Sequence, residues 1–405
     1  MLKFLRRPFR LLAILLIIFV IYANVRLYDE PVCITIPYGQ IDCETLDQLH
    51  YLRRILQEHR AAEEMETLYP EGFVFTYALY ALAWSEVASL LPPESVSQQE
   101  GVQEIAFSLE QLQSKNGTMD FNAALPLPYG AFYRGWTTYV AGKFLQLLPP
   151  AQRDSAQIAR FQNDCEAIAR SIQATENPYL ESYTDMAWPA DNIVCLAALA
   201  LHDRFLEPRY QSVRTIWLAR IKTTLDIRYQ LIPHRYDLAT QQSPEGVRGA
   251  SQSLMLCFLP QIDSDFAQQQ YQNYRSHFLT YRLGLPGIRE YPDGTGLGDI
   301  DSGPVIMGIG GAASIVGIRA SALQKDWQLH VPLRQSVKAL LFPKDAGKER
   351  SYLFGQLPII DAFMAWSNAG ICQTNPLESD SWRWKFQVIS LCFLAFLGAL
   401  LWRFK

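Results

Sequence analysis

Residues 303–320 read Gly-Pro-Val-Ile-Met-Gly-Ile-Gly-Gly-Ala-Ala-Ser-Ile-Val-Gly-Ile-Arg-Ala, a stretch apolar almost all round and rich in small residues. A helix that is apolar on every face belongs in a core. Segments of the same kind recur around 73–90, 130–148, 191–204, 247–259 and 355–370. Their starts are Glu71-Gly72, Tyr129-Gly130, Asp191-Asn192, Glu245-Gly246, Asp301-Ser302-Gly303 and Phe354-Gly355. Successive starts lie 58, 61, 55, 57 and 52 residues apart. Between them, around 44–66, 98–114, 154–174, 208–227, 263–281 and 325–340, run segments charged on one face. A repeat of this size predicts stacked supersecondary units. The expectation is an all-α (α/α)6 toroid of six helical hairpins, with apolar helices inside and polar helices outside. Independent domains would need linkers, and no Gly/Ser-rich linker occurs.

The ends differ from the middle. An uncharged run, 11–25, follows four cations (Lys3, Arg6, Arg7, Arg10), and a second run, 386–402, ends in Arg403-Phe404-Lys405. Cations stay on the cytoplasmic side. The reading is two membrane spans, both termini cytoplasmic, and the main domain periplasmic or extracellular. This divides the chain into an anchor at 1–26, a linker at 27–43, the toroid at 44–372, a linker at 373–385 and an anchor at 386–405. Composition agrees: 49% of the 405 residues are hydrophobic and 19% charged, against about 25% charged in a typical soluble chain. A net charge of −4 argues against a nucleic-acid partner. The lipid bilayer is the expected partner, with subunits of a membrane assembly as further candidates. Cys33 and Cys43, close in sequence beside an extracytoplasmic face, predict a disulfide.

Loops entering the inner helices are long, at 116–129, 175–190, 228–246 and 282–302, and long loops in a compact repeat fold tend to be functional. They should share one face with the inner-helix N-termini, where N–H groups favour anions. That mouth is the candidate site. Asp185 and Asp191 flank Tyr183 and Trp188. Glu245 and Arg248 open the fourth inner helix with Gln252, and charge at the start of a buried helix needs a partner or a ligand. Asp299 and Asp301 follow Tyr291 in a glycine-rich loop. Tyr129, Tyr133 and Arg134 open the second inner helix. Paired carboxylates carry acid–base chemistry on sugars, so Asp191 and Asp301 are assigned the acid/base roles, with Asp185, Asp299 and Glu245 beside them. Tyr129, Tyr133, Arg134, Tyr183, Trp188, Arg248, Gln252 and Tyr291 would bind a glycan or an apolar small molecule. Asp293, Asp299 and Asp301 offer oxygen ligands to calcium, but their spacing is not that of an EF-hand. No cofactor and no metal site are expected.

The six hairpins, with 183–192 opening the third inner helix, resemble the (α/α)6 six-hairpin superfamily. Within it, 177–237 is most similar to linalool dehydratase/isomerase-like proteins: a polar, aromatic loop, an inner helix, then a Tyr/Phe-rich outer helix. The resemblance implies the toroid and a ligand at its mouth. That family uses mouth cysteines, whereas Ser182 and Asp191 occupy the segment here. Other six-hairpin proteins include glycosidases and sugar epimerases that use carboxylates. The expected function is a carbohydrate-active enzyme: a glycoside hydrolase, a sugar epimerase or a lyase-like enzyme. The alternatives are a non-catalytic glycan-binding or envelope subunit and, third, a terpenoid hydro-lyase.

Overall fold

The computed structural model describes residues 2–36, 38–300, 302–372 and 380–403. The chain starts with α1 (Leu2–Arg26) and a hairpin of β1 (Cys33–Ile36) and β2 (Gly39–Asp42). The first repeat has α2 (Cys43–Glu58) and α3 (Ala61–Leu68) outside and α4 (Gly72–Leu90) inside. The second has α5 (Val96–Leu112), a single turn α6 (Lys115–Thr118) and inner α7 (Gly130–Leu147). The third has α8 (Ser155–Gln173), strand β3 (Met186–Ala187) and inner α9 (Pro189–Phe205). The fourth has α10 (Gln211–Ile221), β4 (Tyr236–Asp237) and inner α11 (Gly249–Ile262). The fifth has α12 (Ser264–Phe278), hairpins β5 (Leu279–Arg282) with β6 (Leu285–Ile288) and β7 (Val305–Ile306) with β8 (Ile309–Gly310), and inner α13 (Gly311–Leu323). The sixth has α14 (Trp327–Leu340), hairpin β9 (Lys344–Ala346) with β10 (Glu349–Ser351), and inner α15 (Pro358–Asn368); α16 (Trp384–Arg403) ends the chain.

The inner helices close a ring. Each packs on the next, from α4 through α7, α9, α11 and α13 to α15, and α15 packs back on α4. Their surfaces are buried nearly all round, as in α4 and α9. The axis is filled by rings from four of them. Trp136 of α7 lies edge-on to Phe75 of α4 (5.2 Å between ring centres), Phe258 of α11 (5.6 Å) and Trp366 of α15 (6.3 Å). Burying an aromatic or aliphatic side chain of this size stabilises by roughly 1.5–3 kcal/mol. The ring is therefore a packed core.

Among the described residues, three helices are long and apolar enough to cross a membrane. One is α4, whose apolar window is 78% buried in the toroid. In α1 and α16 the corresponding figures are 11% and 17%. The contrast separates a core helix from two helices that leave their apolar faces uncovered while packing on each other.

The fifth inner helix starts later than the sequence reading placed it. Residues 305–310 form the β7–β8 hairpin, and the helix begins at Gly311. Gly303, Met307 and Gly308 all take positive φ, which breaks any helix. The predicted disulfide is also different. Cys33 bonds to Cys372 (Cα–Cα 6.1 Å), and Cys43 is a free thiol. Cys33 lies opposite Asp42 in the β1–β2 ladder and Cys43 begins α2, so nearness in sequence gave the wrong partner. The bond ties the segment after α1 to the one before α16. The same region is held by a buried ionic knot. Arg334 pairs with Asp42, and Lys338 and Arg350 pair with Glu44. Arg383 donates to the Leu27 carbonyl (2.9 Å) and to Gln335 (2.7 Å).

Candidate active site at the mouth

Most outer helices begin on a side-chain cap, α3 and α10 excepted, and the inner helices do not. Side-chain oxygens of Asp42, Ser95, Asp154, Asp263 and Asp326 cap α2, α5, α8, α12 and α14. None of the six inner helices among the described residues has a side-chain cap from its own N-cap residue. Two are served instead by the loop of the next repeat. The N–H of Ala131 in α7 donates to the Glu181 carbonyl (2.8 Å). At α11, the N–H of Gly249 donates to the Glu290 carbonyl (2.8 Å) and that of Ala250 to the Glu290 side chain (3.2 Å). A Cβ on Gly249 would lie 1.9 Å from the Arg289 carbonyl; only glycine permits that crossing.

Arg248, the residue before α11, is extended and 2% exposed. Its Nε donates to Glu290 (2.8 Å), and its two terminal nitrogens grip Asp299 at 2.7 Å each. One guanidinium thus serves two carboxylates from the fifth-repeat loop, and the two differ in environment. Asp299 is at the rim; Arg248 and the Ser302 N–H and hydroxyl hold it at about 2, below the usual carboxylate range, against the opposing effect of burial. Glu290 is fully buried, and desolvation pushes it up to about 7 although Arg248 opposes. Arg248 Nη1 also donates to His234 Nε2 (3.3 Å). With Nε2 accepting, Nδ1 carries the proton shared with Ser251. Burial, then the Arg248 charge, drives His234 down to about 3, so the ring is neutral at ordinary pH. Glu245 is exposed at this edge, 3.6 Å from His234, 3.7 Å from Arg248 and 3.2 Å from Arg235.

Aromatic rings continue the rim. Arg248 lies over Tyr291 (5.5 Å) and Arg235 over Trp188 (5.7 Å). Trp188 meets Tyr183 edge-on (5.5 Å), and the Tyr183 hydroxyl bonds Glu71 at the start of α4. The third and fourth entry loops are joined by the β3–β4 pair. One run of contacts therefore crosses the mouth from Glu71 through Tyr183, Trp188, Arg235, Glu245 and Arg248 to Asp299 and Tyr291.

Of the residues expected here, Glu245, Arg248, Asp299, Tyr291, Trp188 and Tyr183 converge. Asp301 lies outside the described residues. Asp191 is buried at the third position of α9, not at its cap. Asp185 sits exposed with φ 64° on the turn Tyr183–Met186, accepting no bond from this network; its own N–H donates to Glu181. Gln252 is buried and donates to the Ile232 carbonyl, a structural task. Tyr133 and Arg134 face outward. Arg134 pairs with Asp164 of α8 (2.8 Å) and covers Tyr129 (5.2 Å), and the Tyr133 hydroxyl donates to the Leu112 carbonyl. Both line a peripheral cavity of about 360 Å³ between α5, α7 and α8. Asp293 accepts from its own loop at Thr295 and Asp299 is held by Arg248; Asp301, the third carboxylate of the calcium reading, is the residue outside the described ones. His234 and Glu290 were not assigned roles from sequence, and Glu290 is central to the network.

No family model and no curated protein matches this chain. Solved structures do. A polysaccharide lyase aligns with TM-score 0.50 at 13% identity, over 83% of this chain and 99% of its own. A GH76 alpha-mannanase from Bacteroides thetaiotaomicron aligns with TM-score 0.46 at 11% identity, over 73% and 85%. A family 105 glycoside hydrolase from C. acetobutylicum aligns with TM-score 0.44 at 11% identity, over 72% and 93%. Identity this low speaks to fold alone. The lyase match, which spans nearly the whole of its partner, places this chain among the helical toroids.

Proposed function

We propose that the protein is a membrane-anchored, extracytoplasmic, carbohydrate-active enzyme working at the mouth of its toroid. The observation that carries this is the Glu245–His234–Arg248–Asp299 network beside Trp188, Tyr183 and Tyr291. Aromatic faces suit sugar rings, and a solvent-reached carboxylate beside fixed charges suits proton transfer. The proton carrier in this reading is Glu245. Asp299, held ionised by Arg248, supplies fixed negative charge, and neutral His234 orients Arg248. The toroid is shared with a polysaccharide lyase, which supports a polymeric glycan as substrate. The uncovered apolar faces of α1 and α16 support two spans, and the cations beside both apolar runs support cytoplasmic termini.

The test uses the full chain in nanodiscs against a panel of uronic-acid and neutral polysaccharides. Reducing ends and unsaturated uronide absorbance are followed together. Glu245→Gln should cost roughly a hundredfold or more in rate with an unchanged far-UV spectrum. Full activity in that variant removes Glu245 from the chemistry. A second reading, a glycan-binding subunit without turnover, is favoured by the occupancy of Asp299 and Glu290 by Arg248. It predicts binding lost in Trp188→Ala, retained in Glu245→Gln, and no product in either assay. The finer likeness to linalool dehydratase/isomerase-like proteins has less support. Cys195 is buried in α9 and desolvation pushes its thiol well up, so a terpenoid hydro-lyase would need other residues.

A further inference from the structure

Both terminal helices join the toroid on its mouth side. Outer helix α14 ends where inner α15 begins, and the end of α14 meets α1: Arg26 donates to the Pro343 carbonyl, and Phe342 stacks on Tyr22 (5.5 Å) and lies 5.9 Å from Phe19. The tip of the β5–β6 hairpin meets α16, where a Cβ on Gly284 would lie 2.7 Å from the Phe386 nitrogen. Ala23, Leu27, Leu285, Ala339 and Phe386 form one buried cluster at this junction.

Around that junction the rim is apolar and open. Leu283 at the β5–β6 tip is 53% exposed, Met307 at the β7–β8 tip 56%, and Phe354, stacked on Phe342, 64%. The two tips are neighbours, since Arg282 Nε donates to the Met307 carbonyl (2.9 Å). Arg26, the first charge after the apolar run, lies seven positions beyond Phe19. At about 1.5 Å per residue, the Phe19 contact lies roughly 10 Å below the outer end of α1. That is the depth to which apolar faces enter the headgroup and acyl boundary. Trp384 and Lys385, at the start of α16, are residue types of the same layer.

We propose that this rim rests in the outer lipid interface, so that the mouth opens at the membrane surface. The inference rests on the membrane anchoring proposed above, because α1 sets the depth. Its partner is the bilayer itself, argued from continuity of the rim with the two helices that would span it. The site is adjacent: the Glu290 N–H donates to the carbonyl of Gly308, the residue after Met307. A substrate at this mouth is reached from the lipid side.

The test places a fluorophore on a single cysteine at position 283, 307 or 96 of the full chain, with Cys43 and Cys392 replaced by serine. Val96 is exposed at the start of α5, at the opposite end of the toroid from the mouth. The protein is placed in phosphatidylcholine–phosphatidylglycerol liposomes carrying shallow nitroxide lipids. Probes at 283 and 307 should be quenched several-fold more than at 96. Quenching no greater than at 96 overturns the proposal. Carbonate extraction of the same liposomes separates the causes: a chain that stays in the pellet with unquenched probes keeps its anchors and loses only the rim contact, whereas a chain that is released loses both. Shielding at 307 that persists in detergent and rises with protein concentration marks a second copy on this face and also overturns it.

Discussion

Arg248 holds a carboxylate, Glu290, and an imidazole, His234, whose contributions to stability respond oppositely to pH. Glu290 binds its proton more tightly folded than unfolded, since burial raises it from 4.5 to about 7. Its contribution to stability is therefore present at low pH and is lost as pH rises through about 7, by an amount on the order of 1–3 kcal/mol. His234 acts oppositely: held at about 3, it loses stability as pH falls below its ordinary 6.5. The difference between wild type and Glu290→Gln isolates the first effect. In urea titrations from pH 5 to 8, the variant should gain on the wild type as pH rises; a constant difference would remove the burial argument. Arg248→Met leaves both carboxylates, Glu290 and Asp299, without their guanidinium and should cost about 3–5 kcal/mol, read as a lower urea midpoint. Arg248 was legible because charge at the start of an apolar helix demands a partner, and Asp299 because it lies in a glycine-rich entry loop. Glu290 was not. It is one carboxylate among several in a loop, and only the folding of β6 and β8 around it creates the burial. Tyr133 and Arg134 misled for another reason: adjacent helical residues point about 100° apart, and a helix buried all round gives no periodic signal to say which face meets the axis.

At the scale of elements, capping follows position. Outer helices start at the face opposite the mouth, and Asp and Ser caps satisfy the first N–H groups of five of them locally, α3 and α10 excepted. Replacing Asp154 or Asp263 by Ala should cost about 0.5–2 kcal/mol each, visible as a lower melting temperature with an unchanged mouth. Gly249→Ala should do more, because the fifth-repeat loop must lift away from α11 and carry Glu290 with it; a chemical-shift or hydrogen-exchange change confined to α11 would leave this account without its mechanism. The alternation of polar and apolar helices was readable because it depends on burial alone. The start of α13 was not, because the Gly-rich run before it is as apolar as the helix and only backbone dihedrals distinguish hairpin from helix.

For the whole molecule, the closed ring makes the axial aromatics a shared keystone. Trp136 touches rings from three other inner helices, so Trp136→Ala should destabilise by about 3–5 kcal/mol and lower the melting temperature of the toroid as one transition. Two separate transitions would mean the repeats do not form one cooperative unit. Ring closure was read from six near-equal repeats of outer and inner helices; the same spacing also fits an open solenoid, and it is the packing of α15 on α4 that closes the ring. The covalent closure was not legible, because a disulfide needs two Cα atoms within about 7 Å and nothing in a linear chain reveals that positions 339 residues apart will meet. That bond has a consequence for proteolysis. A protease that nicks any exposed loop between Cys33 and Cys372 cuts the backbone but leaves both fragments joined and both stems in place. On a non-reducing gel the nicked chain should run as one band, and only after a thiol reductant should it part into two pieces, each retaining one terminal helix.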